Sequence, residues 1–450
     1  ESNNTRFIYI SSSFVLYKFL FLFLLSFRMS RYDIVVYGAT GFTGIVVVRM
    51  MATEPLFKGK TIAVAGRSEK KVRNVLEQIA NETGFSDVRN YPIIIADNEN
   101  EESLEKMAKQ AKVIINAVGP YTLYGEAVVR AAVNNGASHV DLSAELSFLE
   151  GMEKTYGKQA RENGAYIVGA CGLASIPADL GVEFLKQKFD GTLDYVETCF
   201  RLNRGPSGYS FNTATCESLL LGIKSMSEGG EGTLHRSLIP KPMPVSKFRP
   251  SFRFPLSKMS NNAIDAWTMP FLGTDQPTVE RSQYYDYHEN GKRPVQVYPY
   301  FTIGSFFNSI ALGLWVAVVG LFALFGPTRR FVAAHAEELS FGMFRKTGPS
   351  PEQMKESSFD YFLFGTGWGK GESTDEKPTK KVSVVCHGPD PGYTGATACV
   401  CASALALLDD REKLPKDGGV FTTATAFRDT RIFEYMRKMG VTFDLLPCEQ

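Results

Sequence analysis

The chain has no cysteines spaced as C-x-x-C, and its seven cysteines are an odd number. Cys399 and Cys401 come nearest, but one residue apart on a helical stretch they point to different faces. That excludes a disulfide framework and fits reduced thiols in a cytosol-facing compartment. Histidine is scarce: five in 450 residues, none in a His/Cys/Asp ligand pattern, so no metal is expected. An excess of one charge is also missing. Lys and Arg number 49 against 48 Asp and Glu, so no global field recruits nucleic acid. There is no internal repeat, and no Tyr-x-x-x-Lys proton-donor pair of the short-chain reductase kind. What is present is globular, 44% hydrophobic and 22% charged, and its length calls for two domains.

Two apolar runs stand out. Residues 7–27 are broken by Lys18 and precede Met29, which lies four residues before the first strand; the chain begins with Glu1. Residues 1–28 are expected to be an extension outside the fold rather than a signal or anchor, because export would part a nucleotide-binding domain from its cofactor. The second run, 303–325, carries no charge. As a helix its 23 residues would reach roughly 35 Å, enough to cross a ~30 Å hydrocarbon core.

From residue 33 strands alternate with helical periods. Strands are predicted at 33–37, 61–65, 91–96, 113–118, 139–142 and 166–170, and helices at 45–52, 70–82, 103–110, 126–134 and 148–163. This alternation predicts an α/β fold with a Rossmann-type, doubly wound parallel sheet. After residue 182 the pattern changes. Residues 195–202 and 295–302 read as strands of a second α/β domain, separated by a long, irregular, Pro-rich segment. Residues 381–386 read as a strand, 397–408 as an apolar helix and 365–381 as a mobile loop. The expected division is 29–182 for the cofactor domain, 183–387 for a second domain containing 303–325, and 388–450 for a segment returning to the first.

The loop 38–44, GATGFTG, follows a strand and precedes a helix. That context suits a dinucleotide: Gly38 permits the turn, Gly41 lets backbone approach the pyrophosphate, and Gly44 lets the helix pack closely, with Thr40, Phe42 and Thr43 between them. At the end of the second strand stand Arg67 and Ser68 where NAD enzymes usually place an acid. A guanidinium grips a 2′-phosphate bidentately, so NADP(H) is the expected cofactor. The alternative is a solvated Arg67, with Glu69 at the ribose. Asp97 is placed near the adenine or as a helix cap. Asn116, Val118, Gly119 and Pro120 close the fourth strand, on the nicotinamide side. Tyr121 follows and is the chosen proton donor, its alternative being a packed tyrosine. Tyr124, Asp141, Ser143, Glu145, Cys171, Ser175 and Asp179 are further candidates at strand ends.

Taken together, GATGFTG at 38–44, AGR at 65–67, NAVGPY at 116–121, VDLSAE at 140–145, CGLASIPADLG at 171–181, GPDPGY at 388–393 and GGVF at 418–421 resemble the saccharopine dehydrogenase-like oxidoreductase family. The resemblance covers nearly all of 33–450. It implies a Rossmann domain, a second α/β domain, and a C-terminal segment that returns to the first. It also implies NADP-dependent oxidoreductase activity and, from the animal members, association with lipid droplets and mitochondria. Some bacterial relatives resemble trans-acting enoyl reductases of glycolipid synthesis. The sequence departs from the pattern at 172–175, where Ala174 stands in place of the family's common aspartate. The basic groups with which true saccharopine reductases hold an amino-dicarboxylate do not map here, so the family name does not give the substrate.

Run 303–325 has three readings: a single membrane span, a hairpin or in-plane helix in one leaflet, and a buried helix in the core or at the interface of a homodimer. If the last segment packs back on the first domain, a single span is excluded. Gly313 and Gly320 permit a bend, and Arg329 and Arg330 suit a headgroup layer. Residues 232–264 hold no Asp or Glu, and the basic stretch 236–258 interleaves Phe248, Phe252 and Phe254, which suits an anionic lipid surface. The expectation is an NADP(H)-dependent reductase of a small-molecule or lipid-linked substrate at a lipid droplet or the cytosolic face of a membrane. The alternative is a non-catalytic dinucleotide-binding scaffold on droplets.

Overall fold

The computed structural model describes residues 31–250 and 256–447; the reading of residues 1–28 lies outside them. The first sheet is built from β1 (Tyr32–Tyr37), β2 (Ile62–Gly66), β3 (Ile93–Ile95), β4 (Ala111–Asn116), β5 (Ser138–Asp141) and β6 (Tyr166–Val168). A late strand, β15 (Gly419–Phe421), completes it in the order β15-β6-β5-β4-β1-β2-β3, every pair parallel. Within β1, Ile34 and Val36 enter one core while Val35 and Tyr37 enter the other. A strand apolar on both faces belongs in a sheet covered on both sides. Helices α1 (Phe42–Thr53) and α2 (Glu69–Thr83) cover one face; α3 (Glu101–Lys109), α4 (Tyr121–Asn134) and α5 (Leu146–Glu162) cover the other. The expected α/β doubly wound class is the one observed.

After α6 (Ile176–Lys188) comes a second, mixed sheet. Its strands are β7 (Gly191–Asn203), β9 (Ser257–Ser260), β10 (Asp265–Pro270), β11 (Gln296–Ile303), β13 (Ser358–Gly369), β14 (Lys380–Pro389) and β16 (Thr442–Leu445), ordered β16-β14-β13-β7-β11-β10-β9. Strands β8 (Phe211–Asn212) and β12 (Phe344–Arg345) form a small sheet beside it. The expected irregular stretch is in fact structured: α7 (Thr213–Ser227), α8 (Gly230–Leu238), β9, β10 and α9 (Asp275–Asn290) lie within it. Helix α9 escaped the pattern because it has no apolar stripe. Asp275, Thr278, Arg281, Ser282, Gln283 and Asp286 are all buried, so packing and hydrogen bonds hold it rather than amphipathicity. The expected loop at 365–381 is shorter, since β13 runs to Gly369 and buried Trp368 donates its indole N–H to the carbonyl of Glu376 (2.7 Å).

Run 303–325 is split. Ile303 ends β11, Ser305 caps the next helix by accepting the amide of Asn308 (3.2 Å), and α10 spans Phe306–Ala323. Its 18 residues measure roughly 27 Å. Of these only Ser309, Val319 and Ala323 are buried, the last two packed with Cys216 and Leu220 of α7 and Val332 of α11 (Gly326–Ala334). Strands on either side of α10, β11 and β13, both pair with β7. A helix whose two flanks share a partner strand cannot part them across a bilayer, which argues against the single-span reading. Arg329 is not free for headgroups as read from sequence: its guanidinium donates to the carbonyl of Ala323 (3.1 Å) and closes the end of α10. The basic stretch 236–258 is likewise partly spent within the molecule, with Lys247 paired to Asp375 (3.1 Å) and Lys258 to Asp265 (2.8 Å).

The last segment serves both sheets. Helix α12 (Thr394–Asp409), apolar on all sides, packs on α1, β4 and β5, while β15 extends the first sheet and β16 edges the second.

Candidate cofactor and substrate site

The loop after β1 is fixed by its glycines. Gly38 has φ +86°, and a Cβ there would sit 2.6 Å from Val118 Cγ2, so the loops after β1 and β4 touch. At Gly44 a Cβ would lie 2.1 Å from the carbonyl oxygen of Gly38, which leaves only glycine in the first turn of α1. Gly41 caps α1 without a side-chain hydrogen bond, and no acid occupies the first turn. The helix therefore offers amide N–H groups and roughly half a positive charge to a pyrophosphate. Thr40 is exposed and Thr43 half-buried beside it. Phe42 turns its ring away, edge-on to Tyr393 at 4.6 Å and against Gly348, leaving its backbone to the loop.

At the neighbouring strand ends, Arg67 is exposed directly after β2. Burial, then Asp97, pushes the Tyr37 hydroxyl up to about 12, with Arg67 opposing, so these three groups share one rim. Ser68 caps α2 by accepting the amide of Lys71 (3.4 Å), and its own hydroxyl hydrogen stays available for a phosphate oxygen. Asp97 does not cap α3. Asn100 does, accepting the amide of Ser103 (3.0 Å), while the carboxylate of Asp97 takes the amide of Glu99 (3.2 Å).

At the end of β4, where the nicotinamide is expected, buried Asn116 accepts the amide of Val118 (3.1 Å), and its Nδ2 has no partner among the described residues. The Gly119–Pro120 peptide is cis. Helix α4 then starts at Tyr121, five residues before the expected 126. The cause lies in another element. Glu145 accepts the amides of Tyr121 (2.9 Å) and Thr122 (2.7 Å), placing a carboxylate on the helix's positive end. The Tyr121 hydroxyl is already used: it donates to the carbonyl of Asn116 (3.1 Å) and accepts the amide of Leu142 (3.3 Å). Burial, then the charge of Asp141, holds its phenol well above the ordinary range. Both facts weigh against Tyr121 as proton donor.

Asp141, opposite Asn116 in the sheet, has different surroundings. Its carboxyl accepts the amides of Ser143 (2.9 Å) and Ala170 (3.0 Å), and burial pushes it up to about 7. It lines a cavity of about 20 Å³, room for one water, together with Thr278, Arg281 and Thr422. Arg281 pairs with Glu153, and its Nε has no partner among the described residues. Ala170, at the rim, has φ +56°, an uncommon conformation for a residue with a Cβ. Sequence reading missed Thr278, Arg281 and Thr422 because they come from α9 and the end of β15, elements far along the chain. Cys171 is fully buried, its thiol pushed far up by burial. Ser175 bonds Thr274 (3.2 Å) and Asp179 takes the amide of Ala424 (2.7 Å), so both hold elements together.

A parallel sheet with an uncapped helix at its glycine loop, and a guanidinium at the end of the second strand, defines a Rossmann dinucleotide-binding oxidoreductase fold. Residues 34–168 match the saccharopine dehydrogenase NADP binding domain, so the cofactor of this domain is NADP(H). The chain is 45% identical over 421 residues to a lipid droplet localized protein of Caenorhabditis elegans, covering 93% of this chain and 99% of that one. It is 37% identical over 425 residues to the human saccharopine dehydrogenase-like oxidoreductase, covering 93% and 98%. The chain belongs to the saccharopine dehydrogenase-like oxidoreductase family. Among solved structures it resembles apo saccharopine dehydrogenase (L-Glu forming) of Saccharomyces cerevisiae, with TM-score 0.52 and 11% identity over 92% of this chain and 99% of that one, a likeness of fold.

Proposed function

We propose that the protein is an NADP(H)-dependent oxidoreductase that works on a lipid-linked substrate at the surface of a lipid droplet or in one leaflet of a membrane. The cofactor groups are Gly38, Gly41 and Gly44 with the amides of Thr43 and Phe42, Arg67 and Ser68 at the 2′-phosphate, Asp97 towards the adenosine, and Asn116, Val118, Gly119 and Pro120 along the nicotinamide. When bound, the cofactor supplies the hydride; the chain's part is to hold the ring against the β4 loop and exclude water from it. Asp141, carrying its proton near neutrality at the adjacent strand end, is the better-placed donor than Tyr121.

The observation that carries the surface reading is α10. Phe307, Leu314 and Leu321 recur at intervals of seven and are 79%, 65% and 57% exposed. Ile310 and Val318 widen the same stripe, and no charge interrupts it. A soluble monomer rarely leaves so long an apolar stripe in water. Lying in plane, α10 would bury this face at the acyl boundary, with Arg330 at the headgroups. The droplet assignment draws on the Caenorhabditis elegans relative's name.

The test is NADPH oxidation by the full chain on phosphatidylcholine vesicles or reconstituted droplets, with long-chain enals, ketones and acyl thioesters. Turnover that requires the lipid surface is expected. Tight NADPH binding without turnover over the whole panel would instead favour a non-catalytic scaffold, a reading that Ala174 and the engaged Tyr121 support. A stable lipid-free dimer that hides α10 would assign the stripe to a second copy.

A further inference from the structure

Asp141 has almost no surface through which solvent could restore a proton, since it is 1% exposed. A row of buried polar groups leads away from it instead. The row begins at the cavity of about 20 Å³ that Asp141 shares with Thr278, Arg281 and Thr422, which offers one water both room and polar partners. Thr422 Oγ1 lies 2.6 Å from Ser282 Oγ of α9. At rest the Thr422 hydroxyl donates to Thr425 Oγ1 (2.8 Å); a turn about its Cβ–Oγ1 bond points that proton into the cavity. The Ser282 hydroxyl also acts on Asp179 of α6, where it stabilises the carboxylate. Asp179 Oδ2 accepts the Thr423 hydroxyl (2.8 Å) and the amide of Ala424 (2.7 Å), while Oδ1 has no partner among the described residues. Ser282, Thr422 and Asp179 are all buried, so no bulk water interrupts the row.

We propose that Asp179 resupplies Asp141 with protons through Ser282, Thr422 and a water held in the cavity. The proposal rests on the reading of Asp141 as proton donor and deepens it by naming the group behind that donor. When a substrate takes hydride at carbon and a proton from Asp141, a carboxylate is left there. The water then gives Asp141 a proton and takes one from Thr422, Thr422 takes one from Ser282, and Ser282 takes one from Asp179. Asp179 regains its proton from solvent on the side of Glu183, one helical turn on, whose partner Lys186 (3.2 Å) is half-buried. Burial raises both carboxyls, Asp141 to about 7 and Asp179 to about 6, so the proton moves from the weaker holder to the stronger. Asp141 faces His139 on its own strand, Glu145 from the next connection, Arg281 of α9, Tyr121 and Cys171; Asp179 faces Glu183 on its own helix and Asp275 of α9.

The test needs no substrate. The full chain, saturated with NADPH, is carried from the alkaline to the acid side of the Asp141 value by flash release of a caged proton. The C=O stretch of each protonated carboxyl is followed by time-resolved infrared spectroscopy. Asp141→Asn and Asp179→Asn assign the two bands. In the unaltered chain the Asp179 band should rise first and the Asp141 band should follow it. In Ser282→Ala and in Thr422→Val the Asp141 band should rise at least about tenfold more slowly, because a hydroxyl is missing from the row, while the Asp179 rate stays the same. Unchanged NADPH affinity and melting temperature verify the fold of each variant. An Asp141 band that precedes that of Asp179 in the unaltered chain, or that keeps its rate in both variants, would overturn the relay and leave Asp141 standing as donor. An unaltered chain with no Asp141 band would overturn both.

Discussion

Arg67, exposed directly after β2, is the residue on which we propose that cofactor choice turns. Replacing it with alanine removes a charge-assisted, bidentate contact that only a 2′-phosphate can make. Such contacts contribute roughly 1.5–3 kcal/mol, so NADPH affinity should fall about 10- to 100-fold while NADH affinity barely moves. Titration of both nucleotides by fluorescence decides it, and an equal loss for the two would return the role to Glu69. Tyr121 makes the complementary case. Tyr121→Phe deletes hydrogen bonds to the backbone of Asn116 and Leu142, so it should lower stability by about 1 kcal/mol and leave any NADPH turnover largely intact. Loss of turnover at unchanged stability would restore the phenol as donor. These two residues also bound what a sequence discloses. The position of Arg67 directly after β2 was legible because strand and turn form one local motif. The engagement of Tyr121 was not, because its partner Leu142 lies across the sheet on β5's exit.

At the scale of elements, α10 and α4 differ in the same way. The apolar run that becomes α10 announces itself by composition, and only its limits needed the structure, since Ile303 pairs in the sheet and Ser305 caps the helix. Helix α4 begins early because a carboxylate from the next connection caps it, an interaction no local periodicity records. Helix α9 was invisible because its buried face is polar, and Thr278 and Arg281, which it brings to the Asp141 cavity, went unread with it. Two outcomes follow from these elements. Glu145→Gln keeps the shape but removes the charge from the α4 terminus, so a loss of roughly 0.5–2 kcal/mol is expected by chemical denaturation. Replacing Leu314, Val318 and Leu321 with glutamine changes side chains that are already exposed, so folding and NADPH binding should survive. Droplet binding should drop about 100-fold, at roughly 1 kcal/mol for each side chain withdrawn from lipid, as read by flotation. Undiminished flotation would remove α10 from the interface.

For the molecule as a whole, the chain weaves between its two sheets, and polar groups buried at the crossings tie stability to pH. His235 on α8 bonds Glu150 of α5 at 2.5 Å and lies 3.5 Å from Glu280 of α9, with Glu231 nearby on its own helix. Burial opposes its charge, but the hydrogen bonds to Glu150 and Glu280 outweigh it and raise the imidazole from 6.5 to about 9. A group that holds its proton more tightly folded than unfolded gives its full stabilisation below the unfolded value and loses it as pH climbs through the folded one. His235 therefore stabilises fully below pH 6.5 and progressively less up to about pH 9. Burial raises Asp141 and Asp275 from 3.8 to about 7, so their contributions decline over a lower range, from about pH 4 to 7, and add to the fall only at its start. His139 works the other way: burial lowers it from 6.5 to about 3, so its contribution is complete above pH 6.5 and cannot mask the decline. Melting temperature should thus fall between pH 6.5 and 9 by a few degrees, since roughly 1 kcal/mol moves a domain of 150–250 residues by about 2–4 °C. His235→Gln, which keeps a hydrogen bond to Glu150 but cannot titrate, should be less stable at pH 6.5 and nearly flat across the window. A variant with the unaltered chain's slope would show that α8 is not held on α5 by a charged histidine.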